Sequence, residues 1–291
     1  MKNSKVEKVL VILPSNIGDV VLGLPVVDVV LAMFPAAEVS IVVGPRAQPL
    51  LAGNPVFRSV RIYDKRATFF QKIAFFLDLR KDFFDIVVDL RNSFLPFLLR
   101  ARRKTGPVNT WKGCHWKDRY LERLAEFLGP FPERIPLRAL SCSTPMPAAP
   151  APGYVLVAPG AADNRKRWPA GRFLEVIRWL VEERGERVVI VGDKRDKEAF
   201  VFSEAKIPSG VTDLLGQTSL RELAAVVHGA KQAVTNDSGV MHMASYFGVP
   251  TVAVFGPTDP GAYGPWSAGS HYIRRGSDIS SVSARDVLEI L

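Results

Sequence analysis

Cysteine is scarce: Cys114 and Cys142 are the only two in 291 residues. They stand far apart and no CxxC occurs, so neither a thiolate zinc site nor a disulfide framework is expected. A reducing cytoplasm suits such a chain. No run of about 18 uncharged apolar residues is present, so no transmembrane helix is expected. The stretch MKNSKVEKVLVILPSNIGDVV has a basic start and an apolar run, but the run breaks at Pro14 without a small-residue cleavage site. It reads as a first strand rather than a signal peptide. Several catalytic signatures are missing too. Without GxGxxG or GxxxxGK(S/T), a dinucleotide fold of the usual type and a P-loop are unsupported. Without DxD, HExxH or a Cys–His cluster, no dedicated metal site is expected. Without GxSxG, a hydrolase with a nucleophile elbow is disfavoured.

What is present is an ordinary globular composition, 47% apolar and 23% charged, with Lys and Arg exceeding Asp and Glu by 38 to 29. A chain this long buries well over half of its unfolded surface. The basic balance favours anionic partners, whether nucleic acid, phosphorylated substrates or an anionic membrane face.

Short apolar runs rich in β-branched residues alternate with helical periodicity. Residues 8–13 (KVLVIL), 39–43 (VSIVV), 60–63 and 86–90 (IVVDL) read as strands, with helices over 19–34 and 69–79. This is the pattern of buried parallel strands in βαβ units. Residues 141–153 (SCSTPMPAAPAPG) then carry four prolines and no charge, which marks a linker or interdomain crossover. The alternation restarts after it. Strands are expected at 154–158, 187–191, 232–235 and 251–255, and helices at 170–184, 219–228, 240–247 and 284–291. Two doubly wound α/β domains follow, 1–145 and 146–291. Ligands of such sheets bind beyond the carboxyl ends of the strands.

Four motifs fall at such ends. Pro14-Ser15-Asn16-Ile17-Gly18-Asp19 closes the first strand; Gly18 permits close approach of a ligand. Asp19 reads either as a helix N-cap or as a general base for an acceptor hydroxyl. In Ala158–Pro169 (APGAADNRKRWP), Pro159 and Gly160 open a loop with three consecutive cations, including Lys166. Such a loop suits a phosphate clamp, or else is a solvated basic turn. Trp168 is expected to pack and hold it. In TNDSGVMH (235–242), Ser238 and Gly239 let helix N-terminal amides approach a pyrophosphate. Asp237 either binds a sugar hydroxyl or caps that helix, and His242, one turn on, either packs or faces the same cleft. Gly256 and Thr258 belong to FGPTDP (255–260), a further turn beside the third motif.

The order of these motifs is more informative than any one. IGDVVLGLPVV, PGAADNRKRWP, LLGQTSLRELAAVVHGA and TNDSGVMHMASYFGVPTVAVFGPTDP closely resemble glycosyltransferase family 9, which includes the ADP-heptose:lipopolysaccharide heptosyltransferases. The resemblance runs from about residue 8 to 266 and is most specific in the last block. It implies a GT-B fold: two Rossmann-like, doubly wound parallel-sheet domains facing a central cleft. The N-terminal domain would take the acceptor and the C-terminal domain the nucleotide sugar. It implies an inverting glycosyltransferase with no cofactor and no metal, moving heptose from ADP-heptose to a lipopolysaccharide core acceptor. Asp19 matches the catalytic aspartate, Lys166 a lysine on the donor phosphate, and Asp237, Ser238, Gly239 and His242 the donor block. Gly18, Pro159, Gly160, Gly256 and Thr258 would complete the donor pocket. Two other readings stay open: a member using another nucleotide sugar in surface-glycan assembly, and a non-catalytic nucleotide-sugar binding protein.

A basic segment spans Arg91 to Arg123, with Phe94, Phe97, Trp111 and Trp116 among Arg91, Arg100, Arg102, Arg103, Lys104, Lys112, Lys117 and Arg119. It reads either as a solvated face or as an acceptor surface for an anionic glycolipid, with Arg91, Arg102, Arg103 and Lys104 as contacts. Transient, peripheral contact with the cytoplasmic face of the inner membrane is then expected, and nucleic acid is not expected as a partner.

Overall fold

The computed structural model describes residues 6–107, 115–140, 149–199 and 208–291. Cys114, Cys142, Trp111, Lys112 and the 141–148 part of the proline-rich segment lie outside the described residues. The chain divides into two compact units, Met1–Ser141 and Cys142–Leu291.

In the first unit, β1 (Lys8–Ile12) is central. Val9, Leu10, Val11 and Ile12 are all fully buried, as a parallel strand covered on both faces must be. It pairs in parallel with β2 (Glu38–Val43) and β4 (Phe84–Asp89). β3 (Ser59–Ile62) and β5 (Ala101–Lys104) form the edges, giving the order β3-β2-β1-β4-β5. Among the helices, α1 (Ile17–Met33) is apolar almost throughout and buried along most of its length. Its one internal carboxylate, Asp28, is tolerated because it accepts the backbone N–H of Arg138 at 2.7 Å and of Ala139 at 2.8 Å. α2 (Gln48–Leu51) is a single turn between β2 and β3. α3 (Phe69–Leu79) starts in a capping box of Thr68 and Gln71. α3 and α4 (Leu95–Leu98) pack Phe75, Phe76, Leu79, Leu95 and Leu99 on the sheet face made by Leu10, Ile12, Val42 and Val87. α5 (Trp116–Leu128) packs beside α1.

In the second unit, β6 (Tyr154–Ala158), α6 (Ala170–Glu182), β7 (Val188–Ile190), α7 (Lys194–Ala199) and β8 (Val211–Asp213) come first. They are followed by α8 (Leu220–His228), β9 (Ala230–Asn236), α9 (Gly239–Tyr246), β10 (Thr251–Phe255), α10 (Pro260–Tyr263), β11 (His271–Arg274) and α11 (Ala284–Leu288). The strand order is β11-β10-β9-β6-β7-β8, and each of these neighbours runs parallel.

The predicted strands and helices occur with ends shifted by up to three residues. The additional strands β5, β8 and β11 are all edges. An edge strand has one neighbour and one wet side, so it does not need the continuous apolar run that marks a central strand. Residues 101–104 (ARRK) therefore read as a charge run while forming a strand.

Candidate functional site

The second unit brings three of the predicted loops together. β9 lies between β6 and β10, with Ala158 opposite Thr235 and Val254 opposite Asn236. The segments 159–169, 237–239 and 256–259 thus leave adjacent strand ends on one edge of the sheet. At their meeting point Asp237 is 5% exposed. Its Oδ2 accepts from Lys166 Nζ at 2.7 Å and from Thr258 Oγ1 at 2.5 Å. One carboxylate therefore holds one residue from each of the other two loops. Asp237 precedes α9 by two residues and does not cap it. The N-cap is Ser238, whose hydroxyl makes no capping bond and is buried without a hydrogen-bond partner. The first-turn N–H groups of α9 are left for another acceptor, beside a lysine ammonium, which is how anions are held at helix starts.

Asn236, to which the motif assigns no role, stitches the loops. Fully buried, it donates Nδ2 to Pro159 O at 2.6 Å and accepts Trp168 N at 3.1 Å. Trp168 packs as expected: 2% exposed, edge-on to Phe173, with Nε1 donating to Val282 O at 2.8 Å. The three consecutive cations, by contrast, do not form one clamp. Arg165 turns to solvent and pairs with Asp163 at 2.7 Å, which holds that carboxyl at about 2. Lys166 turns inward to Asp237. Arg167 goes to Asp196 at 2.9 Å and to Ala161 O at 3.0 Å. Asp196 lies on α7, and burial pushes its carboxyl up against the pull of Asp193 N–H and Arg167. Gly160 is required here, because a Cβ there would lie 2.1 Å from Asp196 Oδ2. Gly256 is similarly confined: its Cβ would meet Ile279 Cβ at 2.9 Å and Arg165 O at 3.1 Å. His242 is 4% exposed and stacks on Trp266, with ring centres 5.7 Å apart. That is the packed alternative for this residue.

In the first unit, Asp19 is not the helix cap. Asn16 is the N-cap of α1, and Ile17 and Gly18 precede Asp19 in its first turn. The Asp19 carboxylate is half-buried and accepts Asn16 Nδ2 at 2.9 Å. A carboxylate in the first helical turn is stabilised by the macrodipole, and the Asn16 amide orients it.

The segment from Arg91 to Arg123 is not a uniform basic face. It folds as α4, β5 and α5 around the undescribed 108–114. Arg123 is 7% exposed, and burial lowers its pKa. Arg91 is half-buried, its guanidinium 4.6 Å from the Tyr63 ring centre, and Nη1 has no partner. Beside it Asp89 is 1% exposed and accepts Arg91 N and Ser93 N; burial raises its carboxyl. Lys104 Nζ donates to Pro96 O and Leu99 O. Arg102 and Arg103 are exposed, Arg103 over the Phe127 ring. The periodicity of α5 hides Arg123 inside, which composition cannot reveal. Among the described residues, no three His, Cys, Asp or Glu side chains gather as a metal would require.

Comparison with known proteins points one way. Residues 134–285 match the family model Glycosyltransferase family 9 (heptosyltransferase). Lipopolysaccharide heptosyltransferase 2 of Salmonella typhimurium is 26% identical over 92% of this chain and 88% of its own length. Lipopolysaccharide heptosyltransferase 3 of Escherichia coli is 28% identical over 86% of this chain and 83% of its own. Among solved structures, E. coli ADP-heptose lps heptosyltransferase II superposes with TM-score 0.78 at 23% identity, over 97% of both chains. E. coli heptosyltransferase WaaC with ADP-2-deoxy-2-fluoro heptose gives 0.80 at 22% identity, covering 97% of this chain and 98% of that one. The fold class is that of these GT-B structures, with two parallel-sheet α/β domains.

Proposed function

This chain belongs to glycosyltransferase family 9 and is a glycosyltransferase, and from that premise we propose that it transfers a heptose from ADP-heptose to a lipopolysaccharide core acceptor, with inversion and without a metal. The observation that carries this reading is the Lys166–Asp237–Thr258 network beside the open first turn of α9. It supplies what a leaving nucleoside diphosphate requires: an ammonium and backbone N–H groups, preorganised by a buried carboxylate. The E. coli relative WaaC, solved with ADP and with ADP-2-deoxy-2-fluoro heptose, supports an adenine nucleotide as the donor.

In the reaction, an acceptor oxygen forms a bond to the anomeric carbon while the bond from that carbon to the diphosphate oxygen breaks. ADP leaves with the electron pair. Asp19 takes the acceptor hydroxyl proton, and Asn16 holds the carboxylate toward it. Lys166 and the α9 amides meet the charge gathering on the diphosphate, where loss of one such donor costs roughly 10²–10³ in rate. The second unit is the donor-binding domain, with Ser238, Gly239, Gly160 and Gly256 shaping the seat. The first unit takes the acceptor, and Arg91, with its unpartnered Nη1, is its foremost anion contact, followed by Arg102, Arg103 and Lys104. The enzyme works in the cytoplasm, peripherally at the inner membrane.

The test is thermal stabilisation by ADP, UDP and GDP. At a concentration of 100 Kd a native-state ligand stabilises by about 2.7 kcal/mol, which is roughly 5–10 °C for a unit of this size. ADP should give that shift and the others little. Stabilisation by UDP alone would overturn the heptose assignment.

A further inference from the structure

We propose that the outer face of α3 and α4 is a membrane-docking surface that seats the enzyme on an anionic phospholipid bilayer. Away from the sheet, α3 carries one exposed apolar strip beside a polar one that holds Gln71 and Asp78. Phe69 is 72% and Phe70 80% exposed, and Ile73 and Leu77 are exposed as well. At about 100° per residue these four span an arc of roughly 100°. The opposite side of the helix, with Phe75, Phe76 and Leu79, is the one that packs on the sheet. α3 is thus apolar on both sides, which a helix with water beyond it does not need. On α4, Phe94 is 79% exposed and Phe97 54%, and their rings touch at 6.4 Å.

The two helices share a base. Their inner residues pack on the same face of the first sheet. Arg91, at the start of the α4 loop, covers the Tyr63 ring, which in turn lies 5.3 Å from that of Phe75 on α3. Exposed aromatic clusters on a single chain mark a partner or a membrane.

The charges decide for a membrane. Residues 64–78 hold Lys65, Arg66 and Lys72 against Asp64 and Asp78, the latter paired with Arg61 and Lys81, and residues 90–104 hold five cations and no acid. Lys65, Arg66, Lys72 and Arg100 make no ion pair among the described residues. Aromatic side chains set among unpaired cations match an anionic headgroup layer over hydrocarbon. The inference rests on the proposed glycolipid acceptor, which puts the substrate in such a layer.

Co-sedimentation of the full chain with vesicles tests it without donor or acceptor, so a wrong acceptor does not decide the outcome. The chain should bind phosphatidylglycerol-containing vesicles, bind phosphatidylcholine vesicles far less, and release with salt. F69S/F70S should weaken partitioning roughly ten-fold or more. K65E/R66E should weaken it at least about 25-fold, from about five-fold per cation lost. Both variants should transfer sugar to a lipid-free acceptor glycan at the parental rate and lose transfer to the same glycan on a lipid in vesicles. If F69S/F70S fails to fold, K65E/R66E decides. Equal binding of parent and variants, no binding by the parent, or a dimer in solution that F69S/F70S dissociates would each overturn the proposal.

Discussion

Replacing Lys166 with alanine leaves the carboxylate of Asp237 without its cation. The two charged atoms lie 2.7 Å apart, with the Asp237 side chain 4% exposed and that of Lys166 26%. Removing one partner of a fully buried pair costs 3–5 kcal/mol. Here the lysine is partly wet and water can follow it out, so the loss should be about 2 kcal/mol. For a unit of this size that is a fall in Tm of about 4–8 °C. Donor affinity should suffer further, because the diphosphate then faces a bare carboxylate; a Kd for ADP at least about 30-fold weaker is expected, or 2 kcal/mol. The double variant K166A/D237N separates the two effects. It leaves a neutral group where the charge was, so most of the stability should return, with a coupling of at least about 1 kcal/mol in the cycle. ADP affinity should return only in part, because the bare carboxylate is gone but the ammonium is still absent. Urea melts and calorimetric titration with ADP read both quantities. If K166A melts within about 1 °C of the parent and binds ADP within about two-fold, the network is not the donor seat.

Asp19, Gly160 and Asp286 each give a further test. D19N keeps the Asn16 contact and the helix start, so ADP binding should be unchanged while turnover, measured by ADP release with acceptor present, falls about 10²–10⁴-fold; parental turnover would place the base elsewhere. G160A puts a methyl carbon 2.1 Å from Asp196 Oδ2, which must displace Asp196 and Arg167 at a cost of about 1–3 kcal/mol in a urea melt. An unchanged midpoint would show that the 159–169 loop is not held by that contact. Finally, the side chains of Arg275 and Ser283 hold the Asp286 carboxyl at about 2, against 3.8 for a free one. As pH falls below 3.8 the unfolded chain takes up its proton first, so stability contributed by this group is present above that pH and is lost toward about 2. D286N should flatten this acid limb in melts at pH about 5 and about 3, and an identical acid limb in the variant would dismiss Asp286 as its source.

Much of this was legible in the chain. KVLVI, VSIVV and TVAVF read as central parallel strands, because short apolar runs rich in β-branched residues suit a strand buried on both faces. The turn before α9 was legible for a local reason as well: Ser-Gly between a strand and a helical pattern exposes helix-start amides wherever it occurs. The basic segment from Arg91 to Arg123 was not legible. Its charges are sorted by periodicity and by sheet position, so that Arg123 is buried and Lys104 ties down the carbonyls of α4, and neither fact has a signature in composition.

Local patterning dictates two doubly wound sheets, the places where their strands end, and the residue types waiting there. Those depend on periods of two and 3.6 and on turn chemistry, all within a few residues of one another. Packing alone chose which of Arg165, Lys166 and Arg167 turns to Asp237 and which of the two apolar sides of α3 meets the sheet. Each of those choices depends on a partner many residues away, and contacts of that range are set by packing rather than by neighbours in the chain.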